Sequence, residues 1–435
     1  MNRPPQIAAT FGLVSLAALS ACGPKPIDPH KQLGPDPYLP AIHQYLLPPM
    51  AVSKVVGWHE ARPEVPAGMK VAALETGLKS PRSLYVLPNG DVLIAESGPP
   101  PPPPPNRPKE FFMALLEKKS HFPGEPGQRI SLVRMDASGS AILRTVLIDH
   151  LHSPFGMVLV GNYLYVADTD AVLRFPYQTG QTRITELGVK LTELPGGPID
   201  HHWTKSLTAS PDGTKLYAGV GSNSNITENG IQAEKDRASV WEIDRATGAH
   251  RLYATGLRNP NGLTFEPTTH VLWTVVNERD ELGPDLVPDY MTSVKDGGFY
   301  GWPWSYWGQH VDPRVMPQNP AMVAKAIMPD YSLSSHVAPL GMVFYTGASL
   351  PAAYRGGAFV GEHGSWDRYP LNGYKVVYIP FANGRPNGIA QDIVTGFTNK
   401  KDQARGRPVG LAVDNAGGLL IADDVGGMVW RVTGA

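Results

Sequence analysis

One short phrase recurs along this chain, and it constrains the fold more than any other feature. An apolar strand runs into a Gly/Asn/Asp turn, and a second apolar strand follows and ends in small or acidic residues. The phrase occupies residues 84–96 around Pro88-Asn89-Gly90-Asp91, 157–168 around Gly161-Asn162, and 207–221 around Ser210-Pro211-Asp212-Gly213. It returns at 263–277, at 342–362 with a longer connection, and at 411–424 around Asn415-Ala416-Gly417. Such turns suit tight β-hairpins, and the flanking Val, Ile, Leu and Tyr suit a pleated, half-buried surface. A four-stranded sheet cannot bury both faces alone, whereas a closed ring of sheets buries each face against a neighbour. Six recurring hairpins therefore predict an all-β protein, a six-bladed β-propeller. The length of 435 residues agrees, because it exceeds the ~250–300 residues that one core usually serves. A repeat architecture escapes that limit, since each unit needs only its neighbours. Few stretches carry a 3.6-residue period, which argues against a helical fold.

The first residues differ in kind. After Arg3, an apolar stretch from residue 7 to about 18 ends in Leu19-Ser20-Ala21-Cys22. It is shorter than the roughly 20 residues that span a bilayer and has the length of a signal-peptide core. Small residues before a cysteine form a lipobox. Residues 1–22 are therefore expected to be a lipoprotein signal, with Cys22 lipidated and the body held in the periplasm. Gly23 after it leans toward the outer membrane. Cys22 is also the only cysteine, so no disulfide framework is possible. Cysteine hydrolases, zinc-thiolate enzymes and iron–sulfur proteins drop out with it.

Residues 23–67, rich in proline and polar residues, are expected to form a tether and a loosely packed lead-in to a propeller over 68–435. The unbroken run Pro99 to Pro105 cannot be helix or central strand. It marks a loop insertion over about 98–125 that continues through a short amphipathic helix at 111–119. A net charge of −1 points to no nucleic-acid partner. No Gly-x-Gly-x-x-Gly follows a strand and opens a helix, which argues against a nicotinamide enzyme.

Propellers bind ligands at the channel mouth, where loops enter and leave the inner strands. Those loops here are Lys79-Ser80-Pro81-Arg82, Asp200-His201-His202-Trp203, Gly256-Leu257-Arg258-Asn259-Pro260, Asn277-Glu278-Arg279-Asp280-Glu281-Leu282-Gly283-Pro284, Glu362-His363-Gly364-Ser365-Trp366-Asp367-Arg368 and Gly406-Arg407-Pro408. Four of them stand immediately before a repeat, so Arg82, His202, Arg258 and Arg407 are expected to face one another on the axis. Converging cations repel unless an anion sits between them, and guanidinium pairs with carboxylate through a planar fork. A small polyanionic ligand is implied, unless each arginine pairs with a nearby Asp or Glu.

The phrases Gly256-Leu257-Arg258-Asn259-Pro260, Asn277-Glu278-Arg279-Asp280-Glu281-Leu282-Gly283, Lys295-Asp296-Gly297-Gly298-Phe299-Tyr300-Gly301-Trp302-Pro303 and His363-Gly364-Ser365-Trp366-Asp367-Arg368 resemble the sorbosone dehydrogenase family, within the soluble-type aldose dehydrogenases that use pyrroloquinoline quinone (PQQ). The resemblance runs from about residue 74 to 432. It implies a six-bladed propeller that oxidises a small sugar or aldehyde by hydride transfer to the quinone. It implies His202 as general base, with His201 in reserve, and Arg258, with Asn259, beside the quinone carbonyl. Arg82, Arg368 and Arg407 are implied to bind the cofactor carboxylates. Calcium is implied in the 277–284 loop, at Glu278, Asp280, Gly283 and Pro284. No secure lysine matches the one that contacts the quinone in glucose-oxidising relatives; His336 or His363 stands in that space. With no haem-attachment Cys-x-x-Cys-His, electrons would leave to an external cytochrome or quinone. A monomer is the default for a closed propeller.

Two other classes compete. A calcium-dependent lactonase-like hydrolase would need converging Glu, Asn and Asp with few arginines. A non-catalytic propeller would bind a glycan or protein partner.

Overall fold

The computed structural model describes residues 27–45, 51–101, 104 and 126–435. Cys22, the signal segment, the 111–119 helix and most of the proline run lie outside the described residues. The predicted propeller is present, and each of the six phrases forms the inner hairpin of one blade.

Blade 1 comprises Pro81–Val86, Val92–Glu96, Arg129–Met135 and Ala141–Ile148. Blade 2 comprises Met157–Val160, Tyr163–Ala167, Ala171–Pro176 and Val189–Glu193. Blade 3 comprises Leu207–Ala209, Lys215–Val220, Ser239–Asp244 and His250–Thr255. Blade 4 comprises Pro260–Phe265, Leu272–Val276, Pro288–Ser293 and Tyr331–Ser335. Blade 5 comprises Pro339–Phe344, Ala358–Glu362, Lys375–Ile379 and Gln391–Val394. Blade 6 takes Pro408–Val413, Leu419–Asp423 and Met428–Gly434 from the C-terminus and its outer strand, Met69–Glu75, from the front of the propeller. That strand closes the ring by pairing antiparallel with Met428–Gly434, so the two ends of the fold share one sheet.

The second strand of each blade is buried on both faces, which is why Val92–Glu96, Leu272–Val276 and Leu419–Asp423 are almost wholly apolar. Separate apolar clusters fill the gaps between adjacent blades. At the axis the inner strands touch backbone to backbone. A Cβ on Gly341 would lie 2.1 Å from the Val409 carbonyl oxygen, and one on Gly410 would lie 2.7 Å from that of Arg82. The equivalent position carries a small residue in every blade: Ser83, Gly156, Ser206, Gly262, Gly341 and Gly410. Phe155, Trp203, Leu340 and Val409 form an apolar plug beside it.

The lead-in is docked, contrary to the expectation of loose packing. Leu33–Gly34 adds to the outer edge of blade 4. Gln32 is fully buried, donating to the Asp285 carbonyl at 2.6 Å and accepting from Ser335 Oγ at 2.6 Å. Further on, the Ala51 N–H donates to the Trp366 carbonyl and the Val56 N–H to that of Ala404. Each of these contacts satisfies a polar group that would otherwise be stranded.

Candidate functional site

The loops at the mouth build two polar clusters. The first lies where blades 1, 5 and 6 meet. Arg82 Nη1 donates to Asp424 Oδ2 at 2.5 Å. Both Asp424 oxygens lie 3.1 Å from His363 Nε2. His363 Nδ1 is 3.5 Å from Arg407 Nη1, and Arg407 Nη2 donates to the Tyr374 hydroxyl at 2.9 Å. Each guanidinium also lies against an aromatic ring, Arg82 on Trp203 and Arg407 on Tyr374. Burial, opposed by Asp424, lowers His363 to about 4, so its imidazole is neutral. Burial pushes Asp424 up, but His363 and Arg82 hold it well below the usual carboxylate range. The cluster thus carries two guanidinium charges against one ionised carboxylate. Among the described residues, the Nε groups of Arg82 and Arg407 are buried without partners. Excess positive charge and orphaned donors are what an anionic ligand would satisfy.

The second cluster lies between blades 3, 4 and 5. Arg258 Nη2 donates to Asp280 Oδ2 and to Asn225 Oδ1, both at 3.0 Å, and Nη1 donates to the Glu278 carbonyl at 2.6 Å. Its Nε faces the Asn225 carbonyl at 3.4 Å. Every nitrogen of Arg258 is therefore engaged within the protein. His336 Nε2 donates to the Gly283 carbonyl at 3.1 Å, while its Nδ1 faces Asp367 Oδ1 at 3.4 Å and Asp280 Oδ1 at 3.6 Å. Burial disfavours a charged imidazole there, but Asp367 and Asp280 outweigh it and raise His336 to about 10. One ligand atom from each of Asp280, His336 and Asp367 lies within 4.8 Å of the others. Two carboxylates and a nearby main-chain carbonyl suit a hard divalent cation. Protonated His336 balances the same carboxylates. The clusters are joined through blade 5, where the His363 N–H donates to the Ala338 carbonyl.

His202 stands beside the second cluster. Its Nδ1 lies 2.9 Å from the Ser222 main-chain oxygen and 3.0 Å from Ser222 Oγ. A carbonyl oxygen only accepts, so Nδ1 carries the proton and Nε2 keeps its lone pair. Among the described residues Nε2 has no hydrogen-bond partner. Burial and the neighbouring His201, Arg258 and Arg237 hold His202 well below the ordinary histidine value. It is a neutral imidazole with its basic nitrogen free. His201 packs edge-on against it at 4.5 Å and is solvent exposed.

The structure thus brings Arg82, His363 and Arg407 together, and separately Arg258, Asp280 and Gly283. The four residues expected to face one another on the axis do not stand at one equivalent point. Counted from the small residue at the axis, Arg82 directly precedes Ser83. Arg407 lies three places before Gly410, and His202 and Arg258 lie four places before Ser206 and Gly262. Bulges at 81–83, 261–264, 339–341 and 408–411 interrupt the inner strands beside this axial position. Arg368 is fully buried and pairs with Asp285 at 3.0 Å. The Glu278 carboxylate turns from the loop to Arg279, also at 3.0 Å, so it is not in the Asp280 cluster. Pro284 is buried in the loop beside Gly283. Asn259 is buried beside His202, its Oδ1 without a partner among the described residues.

Asp424, Tyr374, Asp367, Asn225 and Ser222 were not singled out from sequence. Asp424 could have been, because it ends the last repeat as Asp168 ends the second. The others become visible only when distant loops meet.

A six-bladed propeller with a guanidinium-rich mouth defines the class. Residues 163–365 match the glucose/sorbosone dehydrogenase family model, and residues 312–435 match a TrAA12-like model. Over residues 163–365, just under half of its length, the chain is similar to the glucose/sorbosone dehydrogenase family. It is 28% identical to an uncharacterised protein of Borreliella burgdorferi over 55% of this chain and 62% of that one. It is 23% identical to a pyrroloquinoline quinone-dependent pyranose dehydrogenase of Coprinopsis cinerea over 84% of this chain and 54% of that one. The chain thus spans a little over half the length of these relatives. Among solved structures, the PQQ domain of the Coprinopsis pyranose dehydrogenase superposes with a TM-score of 0.68 at 20% identity, covering 86% of this chain and 97% of that one. A Trichoderma reesei protein of carbohydrate-active family AA12 gives 0.70 at 20% identity, covering 88% and 99%. These likenesses establish the fold.

Proposed function

We propose that the chain is a PQQ-dependent dehydrogenase of a small sugar or sugar-derived aldehyde. The observation that carries this reading is His202, a neutral imidazole with Nδ1 committed to Ser222 and Nε2 open, beside a mouth with more guanidinium than ionised carboxylate. The likeness to the Coprinopsis PQQ-dependent pyranose dehydrogenase supports it.

Arg82 and Arg407, with His363 and Tyr374, would hold the cofactor carboxylates, using the two Nε groups that lack partners among the described residues. Asp280, Asp367, His336 and the Gly283 carbonyl would hold a calcium ion, which prefers oxygen ligands. When bound, PQQ supplies an ortho-quinone that accepts hydride from the substrate carbon. His202 Nε2 takes the substrate hydroxyl proton as general base. Arg258, fixed by Asp280, Asn225 and the Glu278 carbonyl, acts through its charge. It keeps His202 unprotonated until substrate arrives and stabilises negative charge developing in the mouth. An aldehyde would present the same hydroxyl through its hydrate.

Electrons would leave to a separate cytochrome or quinone. The lipobox pattern ending at Cys22 supports a periplasmic body anchored to a membrane by lipid. The functional reading is tested by titrating metal-stripped protein with PQQ, with and without calcium, and following the quinone absorbance. Saturable, calcium-dependent binding that bleaches on adding an aldose or aldehyde is expected. No binding would overturn the reading in favour of a propeller that binds a glycan or protein partner.

A further inference from the structure

His202 rides on a loop without regular structure, yet its orientation depends on a second segment, the turn carrying Ser222. One buried side chain grips both. Arg237 lies just before the third strand of blade 3 and is 6% exposed. Its Nη1 donates to the Gly221 carbonyl at 3.3 Å, on the residue directly before Ser222. Its Nη2 donates to the Pro195 carbonyl at 3.0 Å and to Asp200 Oδ1 at 2.9 Å, both on the loop that leads to His202. Asp200 is itself buried and accepts the Gly197 N–H through its other oxygen at 2.5 Å. From below, the fully buried Lys205 donates to the Trp203 carbonyl at 3.0 Å. The turn is also sterically committed, since a Cβ on Gly221 would lie 2.4 Å from His202 Cβ.

We propose that the buried Arg237–Asp200 pair is a positioning element for His202, holding the 195–202 loop against the Gly221–Ser222 turn so that the imidazole stays in its Nδ1–H form with Nε2 free. This deepens the reading of His202 as the base. A buried pair of this kind adds little net stability, and removing one partner alone leaves a stranded charge, so its value here is geometric. The planar fork of arginine reaches three acceptors on two segments at once, which an ammonium on a flexible stem cannot do.

The test uses full-length, ligand-free protein labelled with ¹⁵N-histidine, the His202 signals being assigned by loss in His202→Gln. The parent is expected to show a single Nδ1–H tautomer with a slowly exchanging Nδ1 proton. Arg237→Gln combined with Asp200→Asn removes both charges together and avoids a stranded ion. It is expected to populate both tautomers and to lower kcat about 10- to 100-fold at little changed KM. Arg237→Lys keeps the charge and provides a second, milder variant should the double variant fail to fold; it is expected to show the same mixing, less severely. A single unchanged tautomer with parental kcat in these variants would overturn the proposal. If the parent turned over no substrate, the functional reading would fail, while the imidazole signals, read without cofactor, would still decide the positioning role.

Discussion

Trp58 donates its indole N–H to Asp423 Oδ2 at 2.6 Å, tying the lead-in to blade 6 beneath the arginine cradle. The same carboxylate accepts the Trp430 indole at 3.2 Å and the main-chain N–H of Arg407 at 2.8 Å. The lead-in is thereby coupled to one of the two guanidinium groups proposed to hold the cofactor. Trp58→Phe keeps the ring packing on Trp430 and Phe397 but removes one donor to a buried carboxylate. It is expected to destabilise the protein by about 1–3 kcal/mol in denaturant unfolding. An unchanged midpoint would mean that the lead-in is not part of the folded unit.

The inner-strand contacts set a second expectation. Gly341→Ala would push a methyl group into the Val409 carbonyl, a backbone atom that cannot rotate away. A loss of about 1–3 kcal/mol or more is expected. Ser83→Ala, at the equivalent place in blade 1, adds no volume and should be close to neutral by the same thermal melt.

Arg407→Lys retains the charge of the cradle but loses the fork that reaches Tyr374 and His363 together. PQQ affinity is expected to fall about tenfold or more, corresponding to one charge-assisted hydrogen bond. The quinone absorbance titration measures it directly.

His336 gives the ligand-free protein a pH dependence of defined sign. Its folded value of about 10 lies above the unfolded value near 6.5, because Asp367 and Asp280 outweigh burial. The stability it contributes is fully present below about pH 6.5 and is lost as pH rises toward 10. Thermal melts should show this decline, and His336→Asn should flatten it. A cation held by the same carboxylates competes with that proton, so calcium should bind more tightly at pH 9 than at pH 6.

The fold was legible because its signals are local. Each inner hairpin declares itself through a turn of Asn, Asp and Gly between apolar strands, whatever lies elsewhere in the chain. Arg82, Arg407 and His363 were legible for a related reason: they flank those hairpins and so lie near the mouth. Their exact facing was not, because Arg82 and Arg407 stand one and three places before the small axial residue, a landmark that appears only when the inner strands meet at the axis. Arg368 sits in an equally suggestive loop, yet it is fully buried and pairs with Asp285, 83 positions away. The docked lead-in escaped notice because it binds largely through main-chain carbonyls and single side chains such as Gln32 and Trp58, which carry no periodicity. Ser222 orients His202 through its carbonyl oxygen, a group that every residue possesses.

The central claim is that the open Nε2 of His202 takes the substrate proton, and His202→Ala tests it most directly. PQQ binding, thermal stability and dye reduction should be measured side by side on parent and variant. Unchanged PQQ binding and melting are expected, with turnover reduced about 10²- to 10⁴-fold. Undiminished dye reduction by the variant would contradict the claim.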